Sequence, residues 1–239
     1  MPGTPTRFHN RADAGQQLAA RLTRFTGRPD VIVLGLPRGG IPVAFEVATR
    51  LHAVLDVCLV RKLGVPGHPE LAMGAIAAGG VEVFSRNLIH HLGIAPALVA
   101  EVARTERLEL ERRDAAYRGK RPPVTVMNRL VLLIDDGLAT GSTMEAAVVA
   151  LRQQNPAQVV VAVPVGAPET CQRLEAMADA VVCVSSPTPF DAVGQWYEEF
   201  DQTTDDEVIR LLAAAWSGAT QRPAAEAGGA AREGDSGPS

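Results

Sequence analysis

Apolar positions along this chain fall into short unbroken runs, set between stretches with helical spacing. Residues 31–36 read VIVLGL, and residues 54–60, 130–134, 159–163 and 180–184 are further runs of the same kind. Continuous Val/Ile/Leu runs of this length predict strands buried on both faces. Between them, residues 42–51, 143–153 and 169–177 have the spacing of helices. Residues 12–25 predict an earlier amphipathic helix, with Leu18 and Leu22 on one side and Arg21 and Arg24 on the other. Residues 205–216 predict a last helix. Strands alternating with helices predict an α/β fold, an open parallel sheet with helices on both faces.

Two segments break the rhythm. Residues 63–84 are rich in Gly and Pro, then small and apolar. They predict a mobile lid loop, with residues 64–71 ordering over a ligand, followed by a hairpin that turns at Gly79-Gly80. Residues 96–119 predict a long outer helix whose charges alternate in sign at i, i+4 spacing. Its charged surface is read as a solvated face, with its basic residues facing an anionic ligand as the alternative. The expected organisation is one domain over residues 1–216, closed by a C-terminal hood and helix over residues 186–216. Residues 217–239 are Gly/Ala/Pro/Glu-rich and predict a disordered tail.

Composition narrows the function classes. The 239 residues are 46% hydrophobic and 21% charged, enough apolar surface for a core. A net charge of −4 argues against a nucleic-acid binder. The three cysteines, Cys58, Cys171 and Cys183, have neither the number nor the spacing of a disulfide framework or a zinc site. No apolar run reaches the ~18 residues of a membrane span, and Met1 to Asn10 carries no apolar signal core. The expectation is a cytoplasmic protein without membrane or nucleic-acid partners.

The chemistry concentrates at residues 130–143, LVLLIDDGLATGST. A buried strand ends in two adjacent carboxylates, Asp135 and Asp136, followed by a loop of small and hydroxyl residues that opens a helix. Ligands of open α/β sheets bind beyond the carboxyl ends of the strands. Bare backbone N–H groups at a helix start suit a phosphate. The paired acids suit vicinal hydroxyls or Mg²⁺. A phosphate site beside a diol site describes a phosphorylated sugar. No lysine follows Gly141, so the loop is not a Walker A motif, and G-x-G-x-x-G is absent.

Residues 131–143 resemble the signature of the type I phosphoribosyltransferases, which bind 5-phosphoribosyl-1-pyrophosphate (PRPP). The runs LPRGGIPVA, VRKLG and DDGLATG are also similar to those of a bacterial phosphoribosyltransferase-like group. The resemblance implies that Asp135 and Asp136 hold the ribose 2′- and 3′-hydroxyls and serve Mg²⁺. It implies that Ala139, Thr140, Gly141, Ser142 and Thr143 wrap the 5-phosphate. Arg38, Gly39 and Gly40 would form the pyrophosphate loop. Arg61 and Lys62, at the end of the second strand, would meet the same group.

The implied reaction moves the 5-phosphoribosyl group to a nitrogenous acceptor and releases pyrophosphate, with Mg²⁺ as cofactor. A homodimer is a possible assembly. The alternative is a PRPP- or nucleotide-binding regulator of the same fold. Where 6-oxopurine enzymes of the family carry an aspartate, this chain has Ala139, which points towards the adenine and orotate branches. Glu70 and then His68 are the lid candidates for a catalytic group, against a reading as solvated loop polarity. Phe190 is a candidate for stacking on the base, or else an anchor for the C-terminal helix.

Overall fold

The structure is a computed structural model. It describes residues 7–220, and within them the side chains of all but residues 69, 70 and 218–220. The expected parallel sheet is present. It contains β1 (Val31–Gly35), β2 (Val54–Val57), β6 (Leu130–Ile134), β7 (Gln158–Val165) and β8 (Ala180–Ser185). Their order is β2-β1-β6-β7-β8, and every pairing is parallel. Side chains alternate across each strand. Val31, Val33, Leu130, Leu132, Ile134, Val160 and Ala162 meet α1 (Arg11–Arg21), α2 (Gly40–Leu51) and α7 (Asp205–Thr220). Ile32, Leu34, Val131, Leu133, Val159, Val161 and Val163 meet α5 (Ser142–Arg152) and α6 (Pro168–Glu175). Both faces are dry, which is why the strands are continuous apolar runs.

A second sheet departs from the expectation. Strands β3 (Val60–Val65), β4 (His68–Ala77) and β5 (Val81–Phe84) form an antiparallel three-stranded hood. The part of this segment predicted as a mobile loop, residues 64–71, is therefore largely paired strand. Pro66-Gly67 supplies only the turn between β3 and β4, with Gly67 at φ 80°. Gly64 sits where the β3–β4 register shifts. Gly74 lets β4 and β5 close up, since a methyl group there would stand 2.3 Å from the Val83 carbonyl oxygen. These Gly and Pro residues serve a tightly packed sheet. The expected hairpin turning at Gly79-Gly80 is present between β4 and β5.

The second core strand is also shorter than expected. It ends at Val57, where the Cys58 N–H donates to the Gly35 carbonyl oxygen at 2.8 Å and the chain leaves the sheet. Arg61 and Lys62 thus lie on β3 of the hood, not at a core strand end.

One face of the hood, with Leu63, Met73 and Ile76, packs against Ala103 of α4 (Pro96–Arg118). The other lies against α5, through small residues such as Ala75 and Ala77. A short helix not anticipated from the sequence, α3 (Arg86–His91), joins β5 to α4 and buries none of its residues fully. Helix α4 is the expected outer helix, but it does not only face solvent. Leu110, Tyr117 and Arg118 are buried. Helix α7 runs to Thr220, past the expected start of the tail at Ser217, and residues 221–239 of that tail lie outside the described residues.

Candidate active site

The site forms where β1 and β6 end side by side. After Ile134 the chain leaves the sheet, and Asp135 and Asp136 stand at its carboxyl edge. The Asp136 N–H donates to Asp135 Oδ1 at 2.9 Å, locking the two acids into one turn. The turn after β1 lies against them. A methyl group on Gly39 would stand 2.0 Å from Asp136 Oδ2, and one on Gly40 would stand 2.8 Å from the Ile134 carbonyl oxygen. Only glycine allows Leu36–Gly40 to run this close to the acids. The peptide bond between Pro37 and Arg38 is cis.

Both carboxylates are costly where they stand. Burial, and then the charge of Asp136, push Asp135 well above the usual carboxylate range. Burial also raises Asp136, against the opposing pull of Arg11. Arg11 is the first residue of α1. Its Nε–H donates to Asp136 Oδ2 at 2.9 Å, and both side chains are largely buried. Its guanidinium lies 3.9 Å from the centre of the Phe200 ring, and an Nη1–H donates to the Asp201 carbonyl oxygen at 2.6 Å. The Tyr197 hydroxyl donates to the Asp136 carbonyl oxygen at 2.6 Å. Burial, then the Asp136 charge, raise the Tyr197 pKa, so this hydroxyl keeps its proton.

The loop after the acids is built to bare its amides. The Ala139 carbonyl oxygen accepts from Thr170 Oγ1 at 2.6 Å, and that of Thr140 accepts from Arg173 Nη2 at 2.7 Å. Both carbonyls are thus turned towards α6. In a trans peptide the following N–H points the opposite way, so the N–H groups of Thr140 and Gly141 face away from α6. Gly141, at φ 75°, opens α5, and no side chain caps the helix. The first amides of α5 have no intrahelical acceptor. The Ser142 hydroxyl lies 3.5 Å from that of Thr140. Ala139, Thr140 and Thr143 are exposed, as a loop that grips a ligand must be.

A small crevice of about 30 Å³ runs beside this loop, lined among others by Pro37, Arg61, Leu110, Arg113 and Thr143. Arg61 is held there by Glu106 of α4, at 2.6 Å from Nε and 2.5 Å from Nη2. Lys62, its neighbour on β3, projects to the other face of the strand. Arg38 reaches Asp205 at the start of α7, 3.8 Å away, and the Tyr117 hydroxyl donates to the same carboxylate oxygen at 2.6 Å.

Other expected site residues lie apart from this cluster. Glu70 and His68 are on β4, and the Glu70 side chain lies outside the described residues. Phe190 stacks on Trp196 with ring centres 6.2 Å apart. It shares an apolar cluster with Phe8, Val193 and Tyr197, so its ring already has a partner as an anchor would.

The arrangement is thus a loop with outward amides, an acid pair and an arginine-lined crevice at one sheet edge. The sequence model of the phosphoribosyl transferase domain matches residues 6–198. The chain belongs to the phosphoribosyl transferase domain family. A Mycobacterium tuberculosis protein named "Putative phosphoribosyl transferase" is 47% identical over 205 residues, covering 86% of this chain and 46% of its own length. The chain thus spans about half the length of the curated relatives it matches. The crystal structure of the Thermus thermophilus protein TT1426 is similar at 44% identity. It superposes with a TM-score of 0.81, over 87% of this chain and 99% of that one.

Within this phosphoribosyl transferase fold, the acid pair and loop were legible as local motifs. Arg11, Arg113, Thr170, Arg173 and Tyr197 were not. One signal existed for Arg11. A cation in the first turn opposes the positive end of the helix dipole, so an arginine directly after the capping Asn10 points to carboxylates nearby.

Proposed function

We propose that this protein binds PRPP and transfers its 5-phosphoribosyl group to a nitrogenous acceptor, releasing pyrophosphate. The observation that carries the reading is the joint placement of the uncapped Gly141–Thr143 helix start and the acid pair Asp135-Asp136 at one sheet edge. The loop would bind the 5-phosphate through the outward amides of Thr140 and Gly141 and the hydroxyls of Ser142 and Thr143. The ribose 2′- and 3′-hydroxyls would donate to Asp135 and Asp136. A hydroxyl bond to an ionised carboxylate is charge-assisted, worth roughly 1.5–3 kcal/mol.

In the reaction the bond from C1 to the pyrophosphate oxygen breaks and a bond from C1 to the acceptor nitrogen forms. Positive charge grows on the sugar while negative charge passes to the leaving group. Arg38 and Arg61 would meet that negative charge, Arg61 from the wall of the crevice. Closing the crevice against water would protect the sugar cation from hydrolysis. Much of the rate would come from positioning.

The donor set fits Mg²⁺ that enters with the substrate. The two carboxylates are hard oxygen ligands, and the described residues hold no group of three or more His, Cys, Asp or Glu side chains that would cage an ion alone. Mg²⁺ is commonly held by one or two carboxylates together with substrate phosphates. When bound, it would offset the charge of the pyrophosphate.

Calorimetry with PRPP and Mg²⁺ tests the binding. Asp135→Asn/Asp136→Asn should lose most of the affinity while keeping the fold by circular dichroism. Pyrophosphate release across a panel of nitrogenous bases, and without any base, tests the transfer. Base-dependent release supports the enzyme. Binding without release supports the regulator reading instead, and absence of PRPP binding overturns the transferase reading and leaves only a nucleotide-binding regulator.

A further inference from the structure

Helix α4 carries one charged group that the resemblance assigns no role. Glu106, Leu110, Arg113 and Tyr117 are spaced i, i+4, i+7 and i+11, so they share one face of the helix. That face is turned inward. Leu110 and Tyr117 are buried, Glu106 reaches across to Arg61, and Arg113 lines the crevice together with Pro37, Arg61 and Thr143. By contrast Arg112, one residue earlier, is well exposed and is not among the crevice's lining residues.

The crevice therefore has a guanidinium on two walls, Arg61 from the hood and Arg113 from α4. Each is held by a carboxylate of α4. Glu106 binds Arg61, and Glu109 Oε1 accepts from Arg113 Nε–H at 2.7 Å. That bond uses one of the five N–H donors of a guanidinium. It fixes the group in place and leaves donors for a ligand. The crevice borders the turn after β1 at Pro37 and the phosphate loop at Thr143. A ligand whose 5-phosphate lies in the loop would have its second anionic end near Pro37, between the two arginines.

We propose that Arg113 of α4 contacts the pyrophosphate group of PRPP together with Arg61. This rests on the PRPP reading of the site. The roof helix, and not only the loops of the sheet edge, then supplies a ligand-binding residue. Two guanidiniums lining one crevice can hold a diphosphate with forked hydrogen bonds that a lysine ammonium cannot reproduce.

Calorimetry tests it with three probes, each with Mg²⁺: PRPP, inorganic pyrophosphate and ribose 5-phosphate. Arg113→Ala should weaken PRPP and pyrophosphate about tenfold or more, the range of a lost charge-assisted bond. Ribose 5-phosphate has no pyrophosphate and should bind as it does to the parent. Arg113→Lys should recover part of the loss. Arg112→Ala removes the other arginine on Glu109 and should leave all three affinities unchanged. Parent-like binding of PRPP by Arg113→Ala overturns the proposal while leaving the PRPP reading intact. Equal losses for PRPP and ribose 5-phosphate move Arg113 to the 5-phosphate or to a structural role, and also overturn it. A parent that binds no PRPP removes the reading on which the proposal rests.

Discussion

At the scale of single residues, the site is governed by close approach. Gly39 is the sharpest case. Its φ of −61° is ordinary for any residue, so alanine there costs nothing in backbone conformation. The obstacle is steric, because the added methyl would meet Asp136 Oδ2 at 2.0 Å and Arg11 Nε at 3.3 Å. Gly39→Ala should therefore push Asp136 off Arg11 and cost about 1–3 kcal/mol, as overpacking does. It should also remove most PRPP affinity. Urea denaturation and calorimetry check the two effects, and parent-like behaviour in both would refute the packing argument. The sequence made Gly39 and Asp136 legible separately, each inside its own motif. That they touch was not legible, because the contact depends on the parallel register of β1 with β6. Arg11 was hidden for a related reason. It comes from an ordinary-looking helix about 125 residues away from its partner.

At the scale of elements, legibility followed burial. The parallel strands were readable because two-sided burial writes itself as unbroken apolar runs. The β4–β5 hairpin of the hood was readable from its Gly79-Gly80 turn, but the pairing of β3 with β4 was not, since the packing there uses Gly64, Gly74 and a run of alanines where β-branched residues would have signalled strand. A further element, invisible as a pattern, is the N-terminal strap. Phe8 pairs with Tyr197, its N–H donates to the Trp196 carbonyl oxygen, and the Glu198 and Glu199 N–H groups donate back to residues 8 and 9. This strap leads directly into Arg11. His9 Nδ1 lies 2.9 Å from Glu198 Oε2. That hydrogen bond, then the charge of Glu199, raise the His9 pKa above its ordinary 6.5. A folded value above the unfolded one means that the contribution is fully present below 6.5 and is lost as pH rises through the folded value. The strap should loosen over that window. Hydrogen exchange at the Glu198 and Glu199 amides, corrected for intrinsic rates, should show protection falling as pH rises above 6.5. His9→Gln should abolish that dependence, and an unchanged profile in the variant would remove His9 from the account.

At the scale of the whole molecule, helix α4 and the parallel sheet are joined by a buried ion pair. Arg118 ends α4, and Asp56 lies in β2, and each side chain is 3% exposed. Arg118 Nε lies 3.1 Å from Asp56 Oδ1, an Nη2–H donates to the Val57 carbonyl oxygen at 2.6 Å, and Asp114 pairs with the same guanidinium. Asp56 also accepts from the Val57 and Val124 N–H groups at 2.8 and 3.0 Å. The pair thus fixes the end of the roof helix, the end of β2 and the segment leading to β6 at a single point. Removing one partner leaves the other charged and unpaired in a dry place. Arg118→Ala should cost about 3–5 kcal/mol, while neutral, well-packed replacements of buried pairs are often tolerated. Asp56→Asn keeps an acceptor for one of the two amides, Val57 or Val124, and Arg118→Met keeps much of the volume, so the double variant should recover part of the loss. Urea denaturation measures both. The same argument sets where the weakened protein opens. The chain from Gly119 to Met127 is mostly exposed, and α4 would lose its anchor to β2. Limited proteolysis of Arg118→Ala should therefore cut first in that connection, and Asp56→Asn/Arg118→Met should resist there as the parent does. If Arg118→Ala and the double variant lose equal stability, the pair is not what couples the roof to the sheet, and the coupling rests on the packing of the hood against α5 instead.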